Sequence, residues 1–143
     1  MGRKSMLQEN NSGVYLLEIL LKEEARIKIG KKGFFLCPAG FYCYTGSAQK
    51  NMQSRLARHC RKKKKRHWHI DYLLERAEVL QIHTWQVARE GECRLAAYLH
   101  DRLNGVMIIP GFGASDCSCQ THLLYFNKRL KEKELPAKDY FSK

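Results

Sequence analysis

The stretch Gly13-Val14-Tyr15-Leu16-Leu17-Glu18-Ile19-Leu20-Leu21 decides the fold. Side chains alternate across a strand, so Tyr15, Leu17, Ile19 and Leu21 share one face while Val14, Leu16 and Leu20 share the other. Both faces are apolar. That predicts a central strand covered on two sides. Its neighbours in sequence read as further strands. Ala25–Ile29 alternates apolar and basic residues, Gly30-Lys31-Lys32-Gly33 is a turn, and Phe34–Cys37 runs to a break at Pro38-Ala39-Gly40. Phe41–Thr45 predicts a strand with Tyr42 and Tyr44 on one face, Phe41 and Cys43 on the other.

The pattern then changes period. Gln49–Cys60 predicts a helix whose apolar stripe is Met52, Leu56 and Cys60, with Arg55 and His59 flanking it and Arg58 further round. A solid cationic run follows, Arg61-Lys62-Lys63-Lys64-Lys65-Arg66, and His67–Arg76 reads as a short helix. Glu78–Val87 predicts a strand whose register is interrupted at Ile82-His83. Gly91–Leu103 predicts a helix, Gly105–Ile109 a short strand, Pro110–Ser115 a turn-rich loop, Leu123–Phe126 a last strand and Asn127–Glu134 a short charged helix. Strands and helices interleave without a repeat, so the expected class is mixed α/β in one layered domain. Its expected span is residues 13–135, with a loose polar lead over 1–12 and a tail over 136–143.

The chain carries 26 Lys and Arg against 14 acids, a formal charge of +12. Charge of one sign repels itself inside a small globule, and a polyanionic partner, DNA or RNA, is the readiest account of it. No apolar stretch approaches the roughly 20 residues that span a bilayer. No secretory signal is read at the start, which leads to a cytoplasmic expectation with no membrane partner and reduced thiols at all six cysteines. Those cysteines are expected to be small buried hydrophobes.

Phosphodiester hydrolysis needs an activated water, a cation on the scissile phosphate and usually a divalent metal. Tyr15 at the start of the central strand and Tyr44 at the end of a neighbouring one are candidates for the base, provided positive charge lowers a phenol that normally titrates near ~10. Both equally suit the edge of a core. Arg55 presents a fixed fork of donors that matches phosphate oxygens, and His59, one turn on, could serve the same phosphate or take a proton. Arg58 and Arg61 read as a solvated basic face. Glu92 falls in the apolar stripe made by Leu95, Ala96, Leu99 and Leu103. A carboxylate there is costly unless paired or bound to a metal such as Mg²⁺, although the first turn of a helix also favours acids. Glu90 reads as solvated.

Gly13-Val14-Tyr15-Leu16-Leu17, Tyr44-Thr45-Gly46-Ser47-Ala48 and Ser54-Arg55-Leu56-Ala57-Arg58-His59 resemble, in order, the two motif strands and the arginine helix of the GIY-YIG nuclease superfamily. The resemblance is closest to a mainly archaeal and bacterial branch, on His67-Trp68-His69-Ile70-Asp71-Tyr72-Leu73-Leu74, Gly91-Glu92-Cys93 and Pro110-Gly111-Phe112-Gly113-Ala114-Ser115-Asp116-Cys117. It implies a small α/β domain on a three-stranded core with extra short strands, and metal-dependent cleavage of DNA. It further implies Tyr15 as base, Arg55 as phosphate ligand and Glu92 as Mg²⁺ ligand (Mn²⁺ substituting), with Tyr44 and His59 in support. A role in DNA repair or processing follows by analogy.

Other signals compete. Arg58, Arg61, Lys62, Lys63, Lys64, Lys65, Arg66, His67, Trp68 and His69 make a plausible patch that tracks a nucleic-acid backbone and stacks on bases, with or without catalysis. His67, His69 and Asp71 would share one face of a strand as a metal site, but a helix start is favoured, where Asp71 instead pairs with His67. Cys117-Ser118-Cys119-Gln120-Thr121-His122 could supply three zinc ligands and lacks an evident fourth.

Overall fold

The structure is a computed structural model that describes residues 11–114 and 117–142. Residues 1–10 of the expected lead, Ser115, Asp116 and Lys143 lie outside the described residues. In chain order the strands are β1 (Gly13–Leu21), β2 (Ala25–Lys28), β3 (Phe34–Cys37), β4 (Gly40–Ala48), β5 (Glu78–Trp85) and β6 (Leu123–Phe126). The helices are α1 (Met52–Cys60), α2 (His69–Leu74) and α3 (Gly91–Asp101).

β1 is central, as its two apolar faces require. It pairs antiparallel with β4 on one side and β5 on the other, in a sheet of order β5-β1-β4-β6. β2 and β3 form a separate hairpin. The class is therefore mixed α/β in one domain, as expected, with a four-stranded antiparallel sheet and a separate two-stranded one.

The parity of β1 divides the core in two. Tyr15, Leu17, Ile19 and Leu21 pack with Tyr42, Tyr44, Met52 of α1, and Ile70, Leu73 and Leu74 of α2. Val14 and Leu16 pack on the opposite face with Cys43, Leu124, and Leu95 and Leu99 of α3. Burying a side chain of this size is worth roughly 1.5–3 kcal/mol, and eight of the nine residues of β1 are buried. The one acid in β1, Glu18, is buried and paired with His83 of β5 and, at 3.1 Å, with Arg129. Pairing removes most of the cost of a carboxylate inside a sheet.

Several expected elements differ. The irregularity in β5 lies at Leu80, because Ile19 faces Val79 while Glu18 faces Gln81. One extra residue flips the alternation, so Val79 and Ile82 both reach the same side of the core. The strand expected over Gly105–Ile109 shrinks to a single bridge between Val106 and Tyr125. Beyond it the chain turns inward and buries Ile109 and Phe112 completely. Instead of a helix over Asn127–Glu134 there is one 3₁₀ turn at Glu132–Glu134. The tail packs onto the domain: Trp85 donates to the Pro136 carbonyl at 2.9 Å and Arg94 to that of Phe141 at 3.0 Å. No helix among the described residues is long and apolar enough to cross a membrane.

Candidate functional site

The beginning of β1 and the end of β4 lie side by side, with Tyr15 opposite Gly46. At this end of the sheet, α1 and α2 arrive from one face and α3 from the other. The corner they leave open is a cleft of about 1000 Å³. Tyr15, Tyr44, Arg55 and Glu92 all line it. Gly46 is required here by space. A Cβ at that position would overlap the ring and hydroxyl of Tyr15.

Tyr15 is 2% exposed, and its hydroxyl lies 2.9 Å from Nε2 of His59. Tyr44 lies beside it, with ring centroids 6.5 Å apart and the planes tilted by 49°. Burial raises both phenols above their ordinary pKa, and the Arg55 guanidinium opposes that shift. Arg55 is held from two sides. Its Nη1 donates to the Ser47 carbonyl at 2.5 Å, and its guanidinium sits 5.0 Å over the ring of Trp68.

His59 differs from its expected place. It is 2% exposed and stands behind Tyr15, away from the cleft. Burial lowers its pKa to about 4, so the ring is neutral at pH 7. Its Nδ1 has no hydrogen-bond partner among the described residues. His59 is not among the residues that line the cleft, and it meets the cleft wall through Tyr15.

Glu92 occupies the first turn of α3 and is not a solvated cap. Ser47 Oγ donates to Oε1 at 2.6 Å, and Nδ1 of His122 lies 3.2 Å from Oε2. The same Nδ1 is 2.8 Å from Thr45 Oγ1. Neither Ser47 nor His122 could be assigned to the site from spacing alone. They reach Glu92 only because β4 ends and β6 begins at this corner.

The cationic run requires correction. Arg58 is not a solvated face: Nη1 and Nη2 each donate at 3.0 Å to the carboxylate of Asp71, and Nη2 also donates to the Lys65 carbonyl at 2.6 Å. Asp71 is fully buried, and burial pushes its carboxyl up. The bonds from Arg58 and from the backbone N–H groups of Trp68 and His67, at 2.9 and 2.8 Å, outweigh that and hold it below its usual value. With its oxygens so occupied, Asp71 is not available for a metal site with His67 and His69. His69 itself accepts a hydrogen bond from Gly113 N at 2.9 Å. Lys64 folds back onto the carbonyls of His59 and Arg61, Lys62 onto that of Ala77, and Arg66 pairs with Glu75. Arg61, Lys63 and Lys65 are exposed. None of the six lines the cleft; His67, Trp68 and His69 do. Its remaining cations, Lys50 and Arg89, are dispersed in sequence and carry no motif that marks them.

The cysteines divide. Cys37 and Cys43 are buried as expected, whereas Cys60 and Cys117 are exposed and Cys93 and Cys119 lie between. Cys93, Cys117, Cys119 and His122 bring one ligand atom each to within 4.8 Å of one another. The fourth partner absent from the Cys117–His122 segment is thus Cys93, in the first turn of α3. Cys93 and Cys117 also form part of the cleft wall.

No curated protein and no solved structure matches the chain. The family model described as domain of unknown function DUF123 matches residues 14–140, which takes in β1, the cleft, the Cys/His group and most of the tail; the chain belongs to that family.

Proposed function

We propose that this protein is a metal-dependent endonuclease of GIY-YIG type that hydrolyses phosphodiester bonds in DNA with weak sequence specificity. The observation that carries this reading is the convergence of Tyr15, Arg55 and Glu92, from three separate elements, on one open cleft rimmed by Lys50 and Arg89. Arg55 offers its fork to the scissile phosphate, and the Ser47 carbonyl and Trp68 keep it from swinging away. Lys50 and Arg89 attract the flanking backbone without reading bases.

The proton path runs along the Tyr15–His59 pair. Tyr15 takes a proton from the attacking water as its own passes to His59 Nε2, in the tautomer that carries hydrogen on Nδ1. His59 is neutral, so in that tautomer Nε2 accepts from the Tyr15 hydroxyl. Arg55 serves twice, since its charge also eases ionisation of the buried phenol. A lone carboxylate, with the other positions left to water and phosphate oxygens, suits Mg²⁺ or Mn²⁺, and Glu92 keeps acceptor capacity beyond the two contacts it makes. Bound there, such an ion supplies Lewis-acid stabilisation of charge on the phosphate.

The test is supercoiled plasmid with protein and Mg²⁺, beside an EDTA control and the variants Tyr15→Phe and Glu92→Ala. Nicking is expected from wild type, and a loss of about 10²-fold or more from each variant. No cleavage of duplex, nicked, branched or single-stranded DNA with either ion sinks the proposal. Salt-dependent binding that survives Glu92→Ala, without cleavage, replaces it with a nucleic-acid-binding module.

A further inference from the structure

We propose that Cys93, Cys117, Cys119 and His122 hold one Zn²⁺ ion in a closed structural site that fastens residues 117–122 to the first turn of α3. Three sulfurs and one imidazole nitrogen within 4.8 Å of one another describe a single-ion cage. A tetrahedron with Zn–S bonds of ~2.3 Å has edges of about 3.8 Å, so small rotations of the thiols complete it. Cys117 Sγ and His122 Nε2 are already 3.1 Å apart. An iron–sulfur cluster would interpose sulfides and spread its ligands further. Calcium and magnesium take oxygen ligands, whereas thiolate and imidazole together select zinc.

The surroundings are built for an ion. His122 is fully buried and presents Nε2 to the cysteines, while Nδ1 faces Thr45 Oγ1 and Glu92 Oε2. A hydrogen bond from the far nitrogen to a hydroxyl or carboxylate is what fixes a metal-binding histidine in its ring orientation and tautomer. The His122 backbone is clamped as well: its N–H donates to the Phe112 carbonyl at 2.8 Å, and its carbonyl accepts from Thr45 N at 2.9 Å. The cysteines lie nearer the surface, with Cys117 exposed and Cys93 and Cys119 partly so. Among the described residues the three thiols belong to neither apolar cluster, and a cation explains their meeting near the surface. Four protein ligands leave no open coordination position, so the ion is structural and does not activate water.

The site adjoins Glu92: Nδ1 of His122 lies 3.2 Å from Oε2, and Cys93 and Cys117 line the same cleft. It does not depend on the nuclease reading. Protein expressed with zinc supplied and isolated under reducing conditions is expected to hold about one zinc per chain by elemental analysis. Replacement by Co²⁺ is expected to give intense tetrahedral d–d bands together with thiolate charge-transfer absorption. Removal of the metal by a chelator should lower Tm by about 10 °C or more, restored by zinc. Cys119→Ser and Cys93→Ser should each lose the ion or change the cobalt spectrum, whereas Cys60→Ser, at an exposed cysteine outside the group, should hold a full equivalent. Should the serine variants not fold, the wild-type cobalt spectrum decides alone. Zinc well below one equivalent, a cobalt spectrum without thiolate bands, or a disulfide among these cysteines in the freshly isolated protein overturns the proposal.

Discussion

Two cationic regions invite comparison: the unbroken run Arg61–Arg66 and the cleft. The run is the most conspicuous basic feature of the sequence, yet much of it is committed to the protein itself. Lys62 and Lys64 bind backbone carbonyls and Arg66 binds Glu75. The cleft gathers Lys50 and Arg55, from the β4–α1 junction, and Arg89, from the approach to α3, around one cavity. Charge density along a chain is thus a poor guide to where a polyanion sits. A lysine in a loop folds onto carbonyls close by, whereas Arg55, though it also holds the Ser47 carbonyl, stays in the cleft wall beside Lys50 and Arg89, where the fields of the three sum.

Arg55 and Arg58, three residues apart on α1, show the same difference in miniature, and exchanging their fates is the sharpest way to break the comparison. Arg58→Ala should destabilise by about 3–5 kcal/mol, since it leaves the buried Asp71 carboxylate uncompensated. Arg55→Ala should lower cleavage by about 10²–10³-fold with little change in stability. Urea titration and plasmid nicking on both variants check this, and a stable Arg58→Ala protein would return the arginine to the solvated face.

Next in size is a pH effect. His59 is buried and its pKa falls to about 4, against an ordinary value near ~6.5. The unfolded chain therefore binds the proton first, and stability falls as pH drops from about 6.5 to about 4, by on the order of 3 kcal/mol. Denaturation at stepped pH should show this slope, shallower in His59→Gln; an equal slope in that variant removes His59 as its source.

The smallest effect separates the regions by binding alone. Lys50→Ala with Arg89→Ala should reduce the salt dependence of DNA affinity by about one to two counterions. Lys63→Ala with Lys65→Ala should reduce it by less. Fluorescence anisotropy across a salt series reads both, and the opposite ranking would make the run the true contact surface.

Much of the fold was legible. The parity of Gly13–Leu21 is enough to place β1 between two cores, because alternation in a strand is set by local backbone geometry. Leu123–Phe126 was equally clear. The register of β5 was not, since a bulge is decided by which partner residues must face the same core. Nor was the loss of the strand after Gly105, where the burial of Ile109 and Phe112 overrides local preference. In the site, Tyr15, Tyr44, Arg55 and Glu92 were each nameable from residue type and position.

What the sequence determined by itself is the alternation of β1, the amphipathic helices and the identity of the chemically capable side chains, all consequences of contacts within a few residues. The tertiary structure alone decided which of those side chains meet. It turned His59 behind Tyr15, paired Arg58 with Asp71, set Ser47 and His122 on Glu92, and carried Cys93 to Cys117, Cys119 and His122. These meetings join segments from different strands and helices, and their distances are fixed by how the sheet and α3 pack, which no spacing along the chain encodes.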